Sequence, residues 1–148
     1  MCIRDRDYDR AIADFSEAIK LDPTESEILT NRANAYQAKK DYDRAIADYS
    51  EAIRLTPNDA PTFNNRGVAY DAKGDDDRAI ADYNQAIKLN PKYVEAWSNM
   101  GDAYYSKQDY DRAIAGYNEA IKLDPTAVSY THLDVYKRQA AHPRSETG

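Results

Sequence analysis

Asp43-Arg44-Ala45-Ile46-Ala47-Asp48-Tyr49-Ser50-Glu51-Ala52-Ile53-Arg54-Leu55-Thr56-Pro57 is the stretch from which the rest of the chain can be read. Its opening pentapeptide, Asp-Arg-Ala-Ile-Ala, also starts at Asp9, Asp77 and Asp111, 34 residues apart each time. Other columns keep the same interval. Phe15, Tyr49, Tyr83 and Tyr117 form one, Ala18, Ala52, Ala86 and Ala120 another, and Pro23, Pro57, Pro91 and Pro125 a third. A fixed period of this length marks an array of small supersecondary units, each too short to bury its apolar face alone.

Each unit reads as two helices. Leu29, Ala33 and Tyr36 are spaced by four and three and share one helical face; Ala45, Tyr49 and Ala52 do the same further on. Between them lies Lys39-Lys40-Asp41-Tyr42, matched by Lys73-Gly74-Asp75-Asp76 and Lys107-Gln108-Asp109-Tyr110. Lysines and Gly74 suit a helix C-terminus, and the aspartates suit the N-terminus of the next helix. Pro57 cannot continue a helix, so the second helix ends before it. Pro61 falls near a helix start, where proline is tolerated. Ala33, Gly67 and Gly101 form a small-residue column that lets helices approach, with tyrosines filling the space beside it.

These columns resemble the tetratricopeptide repeat family. The family's large, small, aromatic, Ala, aromatic, Ala and Pro positions are Trp97, Gly101, Tyr104, Ala113, Tyr117, Ala120 and Pro125 in the last unit. The resemblance covers residues 7–127. It implies an all-α, right-handed superhelical solenoid of antiparallel helix pairs, with the first helix of each pair lining the concave side. The predicted organisation is the second helix of a truncated repeat at 7–25, then full units at 26–59, 60–93 and 94–127. Asp76 departs from the pattern, standing where Tyr8, Tyr42 and Tyr110 stand elsewhere, and its loop is expected to pack less well.

The flanks read differently. Residues 1–6 and 128–139 resemble translations of a transposase mosaic-end adapter used in sequencing libraries, and residues 140–148 follow a further junction. Residues 1–6 are therefore expected to be adapter artefact and residues 128–148 artefact or disordered tail, with the true N-terminus missing. Cys2, His132 and His142, the chain's only cysteine and histidines, all lie in these flanks.

Composition narrows the chemistry. The 148-residue chain has a net charge of −6 and a mean hydropathy of −0.88. Residues 7–127 carry 15 Lys+Arg against 23 Asp+Glu. That balance argues against nucleic acid and anionic membrane, and no stretch is apolar enough to span a bilayer. Compartment stays open, with a cytoplasmic setting favoured. Catalysis needs a nucleophile beside a base, a tuned acid–base pair or a metal. The repeats hold no His or Cys, and Ser16, Ser26, Ser50, Ser98 and Ser106 have no base at a fixed repeat position. Asp75-Asp76-Asp77 lacks the spacing, Gly and later Glu of a calcium loop. The tyrosine columns recur with the alanines, which reads as core rather than a base-stacking platform. No enzyme, cofactor or metal is expected.

The resemblance implies a groove built from positions 2, 5, 6, 9, 12 and 13 of each unit. Candidate peptide-binding residues are Asn31, Asn34, Asn64, Asn65, Val68, Asp71, Glu95, Asn99, Asp102 and Tyr105. Some relatives clamp the acidic C-terminus of chaperones with two asparagines and three cations. Asn34 and Asn65 match those asparagines, but Thr30, Glu95 and Asn99 stand where the cations belong, so a carboxylate would meet repulsion. Asn31, Asn65 and Asn99 recur at one position and could form an amide ladder to a peptide backbone. The alternative is that they bond within their helix or to the neighbouring unit. The expected function is a non-catalytic scaffold holding an extended peptide or partner protein, basic or neutral rather than acidic. Two alternatives stand beside it: the recruiting arm of a larger enzyme or sensor, such as a glycosyltransferase or signalling protein, and a structural spacer that self-associates end to end.

Overall fold

The computed structural model describes residues 3–126, and the side chain of Ile3 is not described. Met1, Cys2 and residues 127–148, including His132 and His142, lie outside the described residues, and so do the expectations for them. Seven helices and no strand occur among the described residues: α1 (Ile3–Leu21), α2 (Ser26–Ala38), α3 (Tyr42–Leu55), α4 (Ala60–Ala72), α5 (Asp76–Leu89), α6 (Val94–Ser106) and α7 (Tyr110–Leu123). The pairs α2–α3, α4–α5 and α6–α7 are the three full units, stacked as a helical-repeat solenoid. None of these helices is long and apolar enough to cross a membrane.

The turns repeat as faithfully as the sequence does. Lys40, Gly74 and Gln108 have φ of 62°, 79° and 62°. Each sits one residue past its helix's C-cap. The following amide donates back across the turn at 2.9 Å, from Asp41 to the Tyr36 carbonyl, Asp75 to Tyr70 and Asp109 to Tyr104. This is the Schellman closure, which satisfies orphan carbonyls of the ending helix. The same aspartates then cap the next helix: their carboxylates accept from the amides of Arg44, Arg78 and Arg112. The Asp76 loop keeps this backbone geometry without the tyrosine. Asp75 supplies the cap and Gly74 the left-handed turn, and neither needs the tyrosine.

The small-residue column does what close packing requires. A Cβ on Gly67 would stand 2.7 Å from the Tyr83 ring, and one on Gly101 would stand 2.6 Å from the Tyr117 ring. Tyr49 and Tyr83 are fully buried and Tyr117 nearly so. Burial pushes all three phenols well above their ordinary range, so they stay neutral. Phe15, the same position in α1, is only half-buried. No helix precedes α1 among the described residues to cover it. Leu21 at the end of α1 is 89% exposed, whereas its equivalents Leu55 and Leu89 are half-buried.

Candidate functional site

The first helices of the units touch one another, α2 with α4 and α4 with α6, while the second helices pack mainly on their sequence neighbours. The first helices therefore line the inner side of the curve. A hollow of 390 Å³ opens there between α2 and α4, bounded by Asn34, Gln37, Tyr42, Asn65 and Val68 among others.

The amides of this surface are not three equal rungs. Asn31 is exposed. Asn34 accepts from the buried Tyr49 hydroxyl at 2.6 Å and from Asn65 Nδ2 at 3.5 Å. Asn99 Nδ2 donates to Asn64 Oδ1 at 3.0 Å. Asn64 is 5% exposed, wedged between α4 and α6 with a hydrogen bond to the Tyr93 hydroxyl as well. Its expected place in the groove is thus corrected: one residue before Asn65, its side chain turns about 100° around the helix and enters the inter-unit seam. Asn65 and Asn99 both reach the preceding unit, the alternative to a free ladder.

The acidic candidates gather further along. Val68 and Asp71 are half-buried, Glu95 is exposed, and Asp102 accepts from the Tyr117 hydroxyl at 2.6 Å. Burial pushes the Asp71 carboxyl up to about 6, reinforced by a hydrogen bond with Asp76 and by the charges of Asp76 and Asp102. Asp76 stands at the repeat position of Tyr42, which walls the preceding hollow. Tyr105 is exposed and packs edge-on against Tyr110, ring centres 5.3 Å apart.

The opposite surface carries a feature the repeat columns do not announce. Arg32 donates from Nε and a terminal nitrogen to both oxygens of Asp48, at 2.7 and 2.8 Å, and from its other terminal nitrogen to Ser16 Oγ. Arg66 does the same with Asp82 and Ser50. Both pairs are largely buried. The arginines of α2 and α4 thus turn outward. A signal was available: Arg and Asp recur sixteen residues apart and are lost together, as Met100 and Gly116.

The TPR repeat model matches residues 34–74 and 70–108, and further tetratricopeptide repeat models match 94–127, 15–47 and 2–25. The chain belongs to the tetratricopeptide repeat family. Among solved structures, this TPR array is similar to the Sgt2 TPR domain from Aspergillus fumigatus, at 32% identity and a TM-score of 0.73, covering 79% of this chain and 80% of that one. It is similar to MamA at 26% identity and a TM-score of 0.83, covering 95% and 86%. The first TPR of Spaghetti (RPAP3), bound to the HSP90 peptide SRMEEVD, is 25% identical with a TM-score of 0.73, covering 79% and 91%. No curated protein matches the chain. As a TPR array the chain has the architecture of a protein-interaction scaffold.

Proposed function

We propose that this TPR array holds an extended segment of a partner protein along α2, α4 and α6, and that basic or neutral segments are preferred to acidic ones. One observation carries the charge preference. Both arginines of the inner helices are committed to Asp48 and Asp82 on the outer side, while Asp71, Glu95 and Asp102 occupy groove positions. The potential over the groove is negative, which steers cations toward it and repels carboxylates. An acidic peptide of the kind held by the RPAP3 domain is disfavoured here on that account. The test is capture from a random library of acetylated nonapeptides by the full chain and by an Asp71→Asn/Glu95→Gln/Asp102→Asn variant. The expected result is a net-basic captured set for the native chain and loss of that bias in the variant. A captured set as acidic as the input overturns the charge reading, and no capture by either protein overturns the groove reading.

A second reading, end-to-end self-association, is favoured by Leu21 and the half-buried Phe15 at the α1 end. Sedimentation of the chain beside a Leu21→Glu variant tests it: the native chain should self-associate and the variant should not. A native chain that stays monomeric at high concentration removes this reading.

A further inference from the structure

The buried tyrosines of the three units differ at one atom. Tyr49 Oη donates to Asn34 at 2.6 Å and reaches Gln37 at 3.0 Å, and Tyr117 Oη donates to Asp102 at 2.6 Å. Asn34 and Asp102 occupy the same repeat position, which in the middle unit is Val68. Valine accepts nothing. The position of Gln37 is Asp71, whose carboxyl is engaged with Asp76 instead. Tyr83 Oη therefore has no hydrogen-bond partner among the described residues, although Tyr83 is 1% exposed. The oxygen is not sealed off. By the geometry of Tyr49 and Tyr117, it is aimed at the groove beside Val68 and Asp71.

Besides its burial, four carboxylates raise the Tyr83 phenol, Asp71 on α4, Asp102 on α6, and Asp82 and Asp76 on α5, and of these Asp82 is paired with Arg66. Neither Asp71 nor Asp76 forms an ion pair among the described residues. Lys107 senses the charge of Asp76, but it is bonded to Asp77. The carboxylates do not converge as a metal-ligand group among the described residues.

We propose that Asp71, Asp76, Asp102 and the Tyr83 hydroxyl form a socket for one lysine or arginine side chain of the bound segment. The proposal rests on the groove reading above and adds the chemistry of one anchor. A guanidinium carries five donors in a plane and no acceptor. It can bridge Asp71 and Asp76, donate to the unsatisfied Tyr83 oxygen, and lay its aliphatic stem along Val68. Without a ligand, the Asp71 carboxyl is hydrogen-bonded to Asp76 where the cation would stand. The first and third units place Tyr42 and Tyr110 at the position of Asp76, so the array has this chemistry at one point among the described units, which would set the register of the bound segment.

The experiment has two arms on the full chain. In the first, amide spectra are recorded while N-acetyl-arginine amide, or its neutral isostere N-acetyl-citrulline amide, is titrated in. The expected result is saturable shifts centred on Asp71, Asp76 and Asp102, at least tenfold weaker with citrulline. Asp76→Tyr, which installs the residue of the other units, and Asp71→Asn should each abolish the response while leaving the far-ultraviolet dichroism unchanged. Equal responses to both amides, or an undiminished response in the two folded variants, overturn the socket. In the second arm, nonapeptides captured by the native chain should show Lys or Arg fixed at one position, lost in Asp76→Tyr. Captured peptides without such a position overturn the socket and leave groove binding standing. Arginine-amide binding without any peptide capture keeps the socket and overturns the groove reading.

Discussion

The outer slots of the middle and last units have the same backbone plan and opposite contents. In the middle unit Arg66 fills the space between α3, α4 and α5, held by both oxygens of Asp82 and touching Ser50. In the last unit the corresponding residues are Met100, Gly116 and Asn84, and a hollow of 530 Å³ bounded by Trp97, Met100 and Tyr104 lies there instead. The two losses are physically linked. Removing the carboxylate alone would strand a largely buried guanidinium, and removing the arginine alone would strand a carboxylate. Replacing both avoids either penalty. The glycine has a second effect: a Cβ at Gly116 would lie 3.0 Å from the Trp97 carbonyl and 3.2 Å from Gly101. Backbone closeness between α6 and α7 has taken the place of a charged clamp, so the ion pair cannot be reinstalled there without moving α7.

The largest effect expected from breaking this contrast is in the middle unit. Asp82→Ala should cost about 3 kcal/mol in urea denaturation, because Arg66 keeps its charge and loses its partner. Adding Arg66→Met, which imitates the last unit, should recover part of that loss. Double-variant costs that simply add would show that the paired replacement compensates nothing. Gly116→Ala comes next. Helix propensity alone would favour alanine by about 1 kcal/mol. The Cβ contacts should reverse the sign and leave a net loss of about 1–2 kcal/mol by overpacking, read as a lower urea midpoint.

An effect of similar size, opposite in sign and dependent on pH, is expected on the inner side. Asp71 holds its proton more tightly in the fold, up to about 6, than a carboxyl in an unfolded chain at about 4. The stability it contributes is complete below the lower value and is lost as pH rises through the higher one. Asp71→Asn should therefore stabilise the array by about 1–2 kcal/mol at pH 7.5 and by almost nothing at pH 4, in thermal scans at the two values. A gain independent of pH would contradict the carboxyl cluster. The smallest effect belongs to the exposed inter-unit pairs Lys39–Asp9, Lys73–Asp43 and Lys107–Asp77. Lys73→Gln should cost less than about 0.5 kcal/mol, with the difference disappearing in 1 M salt.

How much of this was legible depended on how far apart in sequence the partners stand. The helix pairs, the Schellman turns and the Gly67–Tyr83 contact follow from columns that repeat, because repetition turns a local spacing into a structural constraint. The family follows from the same columns. The groove was legible only as a set of positions. Asn64 and Asn65 are adjacent, yet one is sealed in the seam and the other faces the hollow, and no pattern of polarity separates two asparagines. The Arg66–Asp82 clamp joins two helices across sixteen residues. Its only sequence trace is its joint disappearance at Met100 and Gly116. The Asp71–Asp76 pairing depends on a turn tight enough to bring the end of α4 against the start of α5, which spacing alone does not express.

The Lys39–Asp9, Lys73–Asp43 and Lys107–Asp77 links also give the array a mechanical character. Each ties the end of an inner helix to the preceding outer helix, thirty residues back, and all three are exposed. They act as clasps between successive coils of a short spring. The Arg32 and Arg66 clamps bind helices within and across units at a shielded surface, where salt reaches them poorly. Stretching the ends apart would open the exposed clasps first, so the coil should be soft along its axis, softer still in brine, and stiff within each unit.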